Sequence, residues 1–314
     1  MSVSHLWHLW TEFIFKPRSP LPLGLFRILY GLLLLEYCYL AAPELLTCYS
    51  DDKGILRLQT LHKVFGLPVI NLLAVLPPGD EWIIAVFAIF VIASFCLMVG
   101  LFTRISSIVV YLCLVSFDHR NIYVLHSGNK LMTLAAFWLM FAPAGAALSL
   151  DRIRKIRFSN EPASAELPQV SLWAQLAYQF QFILVYWQTS WAKFVSPVWF
   201  DGTAMYYVFR HKEFWHFPVP IVPDNLLLTK LATWGTLGLE FAAWTLIWFR
   251  ETRYLVLAGL VLLHLGIEYS MNIPMFEHIM LISLILFVYP EDLTGVMDWI
   301  KERAAGTYRA SLRR

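Results

Sequence analysis

Along this chain the apolar residues do not alternate or mark a single helical face; they fall in long runs broken by short polar stretches. Eight runs stand out, at Leu21–Ala41, 82–101, 105–117, 131–150, 172–194, 231–249, 254–268 and 273–289. About 20 apolar residues of helix cross the roughly 30 Å hydrocarbon core of a bilayer. The pattern therefore predicts an all-α fold, a polytopic integral membrane bundle of about eight transmembrane helices. The third run is short for that task and must extend into 118–123 or end inside protein. About four residues separate the seventh and eighth, which predicts a tight helical hairpin. Ahead of the first run, 5–16 places Trp and Phe on one side and reads as an amphipathic helix lying at the interface. Trp7, Trp10, Glu12 and two prolines, with no small-residue cleavage site, exclude a signal peptide there. No internal repeat or low-complexity linker interrupts the chain. The expected organisation is an interfacial segment at 1–20, one transmembrane domain over 21–290, and a basic cytoplasmic tail at 291–314.

Composition agrees with a lipid solvent. Hydrophobic residues make up 59% and charged ones 15% of 314 residues, against roughly 45–50% and 25% in soluble domains. A net charge of +2 without a clustered basic face excludes a nucleic-acid partner. Cys38, Cys48, Cys96 and Cys113 lack CxxC or ligand spacing, so they read as small apolar core residues and no metal is indicated. Lys and Arg set the orientation. With the N-terminus cytoplasmic, 14 of the 24 fall on inner segments and nine on outer ones, Arg27 lying inside the first run. Both termini are therefore expected in the cytoplasm.

Ionisable residues inside the runs each need an explanation, since one costs about 2.5–3.5 kcal/mol on insertion scales. Arg27, Glu36, Glu277 and His278 read as snorkelling, paired or helix-end charges. In the fifth run Gln175, Gln179, Tyr186, Ser190 and Lys193 recur on one helical face. Such a stripe either faces a protein cavity or glues helices together as a hydrogen-bond seam. His264 and Glu268, four apart in the seventh run, read as a pair, either satisfied in the core or functional; Glu240 lies in the sixth. Asp118, His126, Lys130, Lys193, His264 and Glu268 all map to the outer half, which predicts a pocket facing the extracytoplasmic side. Desolvation disfavours an ammonium, which is how a buried lysine becomes a base near neutral pH.

No GxGxxG, GxxxxGK[ST], HExxH or GxSxG occurs, which removes the common nucleotide, zinc-protease and serine-hydrolase readings. Other stretches do match a known family. Phe26-Arg27-Ile28-Leu29-Tyr30-Gly31, followed by Tyr49-Ser50-Asp51-Asp52-Lys53-Gly54, resembles the opening of the HTTM (horizontally transferred transmembrane domain) proteins, which are related to the membrane part of vitamin K-dependent gamma-carboxylase. Gly100-Leu101-Phe102-Thr103-Arg104-Ile105-Ser106, the stretch from Tyr186 to Tyr206, Leu239-Glu240-Phe241 and the stretch from His264 to Ser283 continue the resemblance over most of 20–290. In that enzyme a lysine deprotonates vitamin K hydroquinone, oxygen adds, and the strong base so formed takes a proton from a peptide glutamate. The resemblance implies vitamin K or another quinol as cofactor, Lys193 as the quinol base and His126 as its assistant. His264 joins them as a catalytic candidate, with Tyr186, Glu240, Glu268 and Asp118 as supporting polar groups. Ala192 precedes Lys193 where the carboxylase has a second lysine. The carboxylase also continues into a large lumenal domain, which the loops at 42–80 and 195–230 are too small to replace; quinol chemistry is expected here rather than full protein gamma-carboxylation.

Two classes of function follow. The first is a membrane oxidoreductase or carboxylase-like lyase acting on a quinol and an extracytoplasmic peptide or small substrate. The second is a non-enzymatic membrane factor for maturation, assembly or export of a secreted peptide. Both place the chain in the lipid bilayer with its site outward. Cysteine-accessibility labelling or reporter fusions are expected to find 151–157 and the C-terminal tail in the cytoplasm; finding 195–230 on that side would overturn the orientation.

Overall fold

The computed structural model describes residues 3–65, 70–158 and 166–311. Its elements run α1 (Val3–Phe15), α2 (Leu21–Ala41), the short α3 (Leu45–Tyr49), α4 (Leu58–Phe65) and α5 (Leu72–Val75), then α6 (Asp80–Val99), α7 (Thr103–Arg120), α8 (Ser127–Leu139) and α9 (Leu150–Phe158). They continue with α10 (Trp173–Phe194), the short α11 (Pro197–Phe200) and α12 (Ala204–Val208), α13 (Leu226–Thr245), α14 (Arg250–Ser270), α15 (Phe276–Leu284) and α16 (Pro290–Ser311). The described strands, β1 (Pro17–Arg18) and β2 (Val170–Ser171), pair antiparallel and tie the entry of α2 to that of α10.

This is an all-helical membrane protein. Among the described residues α2, α6 and α14 are each long and apolar enough to cross a bilayer; 276–287 with 290–299, bent by 101°, makes a fourth if counted as one span. Outward apolar side chains, such as Ile84, Ile92 and Phe95 on α6 and Leu255 and Leu262 on α14, stay exposed. The buried core joins α2, α6, α7, α8, α10, α14 and α15 through Phe26, Phe90, Leu114, Met132, Phe182, Leu260 and Ile279. One expectation is corrected. The fourth run does not continue as one helix to 150: α8 stops at Leu139, because Pro143 has no N–H to give and Gly145 follows. The tail at 290–311 forms α16, with 312–314 outside the described residues.

The third run does lengthen, into α7 through Arg120, and its start is held by a buckle. Residue Arg27, fully buried in α2, neither snorkels nor meets a glutamate. Its Nη1 donates to the carbonyls of Leu97 (2.7 Å) and Met98 (2.8 Å), and Nη2 to that of Leu148 (2.5 Å). The last carbonyls of a helix have no intrahelical donor, and a cation suits the negative end of its dipole. Gly100 then turns the chain at φ 71°, its neighbour Leu101 donating back to Cys96 at 2.8 Å. A Cβ at Gly100 would lie 2.5 Å from Arg27 Nη1, so this glycine is required by space as well as by φ. On the other side of the turn Asp151 accepts from the N–H groups of Phe102 (2.9 Å) and Thr103 (2.7 Å), capping α7 from a distant position in the chain. Burial works against this carboxylate, yet the Thr103 and Phe102 hydrogen bonds and nearby Arg154 hold it below the usual carboxylate range. Gly31 allows α2 and α6 to approach, since a Cβ there would meet the Met98 backbone at 2.6 Å.

Arg27→Leu leaves three carbonyls without their donor and should cost on the order of 3 kcal/mol or more. Arg27→Lys should recover only part of this, because a single ammonium cannot serve both α6 and Leu148. Detergent melting curves check both, and a neutral Arg27→Leu would remove the buckle from the fold's supports.

Candidate functional site

Helix α10 carries the polar stripe, and its two halves do different things. Toward its start, Gln175 (3.3 Å) and Gln179 (2.7 Å) both donate to the carbonyl of Leu286. A continuing helix would satisfy that oxygen from the N–H of residue 290, but Pro290 has none. The glutamines replace it, and Tyr178 adds a 2.6 Å bond to Ser283 on α15. This half is a seam between helices.

The later half meets ionisable groups. Tyr186 hydroxyl bonds to His264 Nε2 at 2.7 Å, and His264 Nδ1 bonds to Glu277; all three side chains are buried. With the carboxylate accepting from Nδ1–H, Nε2 accepts from the tyrosine, giving a Tyr–His–Glu chain in which the acid orients the base. The expected His264–Glu268 pair is thereby corrected. Helices α14 and α15 fold back tightly through 271–275, with Met275 at φ 60°, so the histidine's partner is Glu277 across the hairpin. Glu268 contributes its backbone carbonyl to His216 Nδ1 at 2.9 Å instead. The hairpin turn is itself stitched to the long loop after α10: Asn272 N–H donates to Phe214 (2.7 Å), Phe217 N–H to Tyr269 (3.0 Å) and His216 N–H to Ser270 (3.2 Å).

One turn beyond Tyr186, Ser190 donates back to the Tyr186 carbonyl (2.6 Å), and at the helix end Lys193 Nζ donates to Glu240 of α13. The ammonium also lies 4.6 Å from the centre of the Trp199 ring. Lys193 thus has a carboxylate partner, in place of the lone desolvated amine that the stripe suggested. Glu240 is 7% exposed, and its Oε2 has no hydrogen-bond partner; Glu277 Oε1 is likewise buried and unpartnered.

His126 is not bonded to either group. It caps α8, its Nδ1 accepting from Gly128 N–H at 3.2 Å, and lines a cavity of about 190 Å³ with Tyr37, Asn129 and Met275. Burial pushes its imidazole below the ordinary histidine value, so it is neutral at pH 7 and able to accept that bond. Behind it, buried Asp118 accepts from Thr133 (2.7 Å) and Asn129 (3.4 Å), with no ion pair among the described residues. The structure therefore brings together Tyr186, His264 and Glu277, and separately Lys193 and Glu240, with His126 and Asp118 in a third cluster. Sequence reasoning passed over Glu277 as a helix-end charge. The available signal was an acid inside an apolar run, one tight turn from a histidine. Among the described residues no group of three or more His, Cys, Asp or Glu side chains could hold a metal.

Compared with known proteins, residues 15–291 match the family model described as HTTM domain. The uncharacterized protein YitO of Bacillus subtilis (strain 168) is 24% identical over 191 residues, 58% of this chain and 59% of that protein; the match thus spans about three-fifths of that relative's length. No solved structure matches.

Glu277→Leu strands the His264 Nδ1 proton in the core and should cost about 2–4 kcal/mol, whereas Glu268→Leu should stay within about 0.5 kcal/mol of the parent. Melting temperatures in one detergent compare the two; equal losses would reinstate Glu268 as the histidine's partner.

Proposed function

The chain belongs to the HTTM family, and on that premise we propose that it takes a proton from a lipid-soluble quinol at Lys193, as the related membrane part of vitamin K-dependent gamma-carboxylase does. In this reading the bundle has eight spans, both termini are cytoplasmic, and the site faces outward toward a peptide or small substrate. The observation that carries it is the Lys193–Glu240 pair, with one carboxylate oxygen bonded to the ammonium and the other buried without a donor. An orphaned acceptor is costly, and a phenolic hydroxyl is a donor of the kind it lacks. The residues present thus fit a hydroquinone: Glu240 would receive a hydroxyl, and Lys193 and the Trp199 ring would border it. When bound, a quinol supplies an acidic phenol and two reducing electrons. Moving a proton from Nζ to the carboxylate leaves Lys193 as the neutral amine, and that amine is the base. The Tyr186–His264–Glu277 chain, seven residues back along α10 from Lys193 to Tyr186, offers a second buried proton acceptor. His126 is the more distant assistant.

A second reading, a non-enzymatic factor that matures or exports a secreted peptide, draws on the same pair: a lysine already satisfied by a glutamate can be a structural tie. Substitutions separate the two. Lys193→Arg keeps the ion pair and should retain the melting temperature, yet abolish turnover of a short-chain naphthohydroquinone, because guanidinium gives no free base at neutral pH. Lys193→Met combined with Glu240→Leu should also melt near the parent and be inactive, whereas Lys193→Ala alone should melt lower by leaving Glu240 uncompensated. Turnover by Lys193→Arg, or none by the parent protein, would overturn the general-base assignment and favour the assembly factor.

A further inference from the structure

A cavity of about 640 Å³ shares no residue with the Lys193 or His264 clusters and is lined by the end of α1 and the start of α16. That volume is within the range of small-molecule sites. Its wall is aromatic and aliphatic, with Phe13 from α1, Trp248 from the α13–α14 turn and Phe287 from the chain entering α16. Two guanidiniums also line it, Arg18 on β1 and Arg253 on α14. Among the described residues both hold only neutral partners. Arg18 Nη2 reaches the Phe13 carbonyl at 3.3 Å. Arg253 donates to the carbonyls of Ile247 (2.9 Å) and Trp248 (3.1 Å) and lies 4.2 Å from the centre of the Tyr289 ring. Glu291 stands at the rim, paired with neither arginine, so the lining carries two cations against one anion. Deeper in, Gln175 is 8% exposed; its Nε2 is spent on Leu286, and its Oε1 is buried with no donor.

We propose that this cavity is a binding site for an anionic membrane lipid with a hydroxyl-bearing head group. Two guanidiniums suit a phosphate, which binds arginine through strong charge-assisted bonds. The unpartnered Gln175 oxygen calls for a hydroxyl donor beside that phosphate, and the aromatic wall accepts an acyl chain. The placement suits a lipid too. Helix α1 exposes Trp7, Trp10 and Phe13, and α16, set off by the 101° bend, exposes Trp299; apolar side chains of this kind seat helices at the head-group level. The site is independent of the quinol reading, since it shares no residue with the Lys193 or His264 clusters.

Native mass spectrometry of the full-length protein in detergent tests it. The probes are phosphatidylglycerol, phosphatidylcholine with the same acyl chains, and free glycerol phosphate. The parent should retain phosphatidylglycerol about tenfold better than phosphatidylcholine, and Arg18→Gln, at an exposed position, should lose most of that preference without a lower melting temperature. Gln175→Leu should weaken phosphatidylglycerol by about threefold and leave phosphatidylcholine unchanged. Equal retention of the two lipids, an Arg18→Gln protein with undiminished preference, or glycerol phosphate binding as tightly as the lipid would each overturn the proposal.

Discussion

A cation sealed in a membrane bundle must be surrounded by oxygen, and the position of Arg27 dictates where that oxygen comes from. Its partners are main-chain carbonyls at the end of α6 and at Leu148. One side chain therefore fixes three segments: α2 against α6, the reversal through Gly100 into α7, and the segment that leads into α9. Asp151 completes the arrangement from the opposite pole, accepting from the start of α7 while Arg27 donates to the end of α6. Charges of opposite sign thus sit on helix ends of opposite dipole, where each is favoured. The two stretches that carry much of the family resemblance, around Arg27 and around Gly100, are the two halves of this buckle.

Further along, the same economy of donors and acceptors organises α10. Where Pro290 withholds an N–H, glutamines from α10 supply one, and the chain bends by 101° without an orphaned carbonyl at Leu286. Where the helix passes α14 and α13 it offers a tyrosine and a lysine to a histidine and a glutamate. The seam and the candidate site are thus the two halves of one helix face. Among the described residues, the later half retains carboxylate oxygens, on Glu240 and Glu277, with nothing to bond.

Much of this was legible in the chain. Continuous apolar runs can only be helices in a lipid solvent, and the polar stripe from Gln175 to Lys193 did mark the face that α10 turns to its neighbours. The buckle was not legible, because its acceptors are backbone groups that any residue would provide. Arg27 therefore looked like a charge in search of a glutamate. The His264 pairing was missed for a related reason: spacing along one helix pointed to Glu268, whereas the tight hairpin places the partner on the next helix. Glu240 and Lys193 were each visible as unusual residues, but their union depends on how α10 crosses α13, which no local pattern encodes. The run at 131–150 misled because apolar residues around Pro143 and Gly145 keep the hydropathy high where the backbone can no longer be helical.

The stitching of 214–217 to the α14–α15 turn has a mechanical meaning. Two backbone segments, with Phe214, His216 and Phe217 on one side and 269–272 on the other, share three main-chain bonds. The same turn leads within two residues from Met275 to Glu277, whose carboxylate holds His264. A load applied to the long loop, by whatever molecule grips it, is therefore delivered to the turn, and through the turn to the tilt of a buried imidazole. Loop and imidazole form one lever, with its fulcrum at Met275.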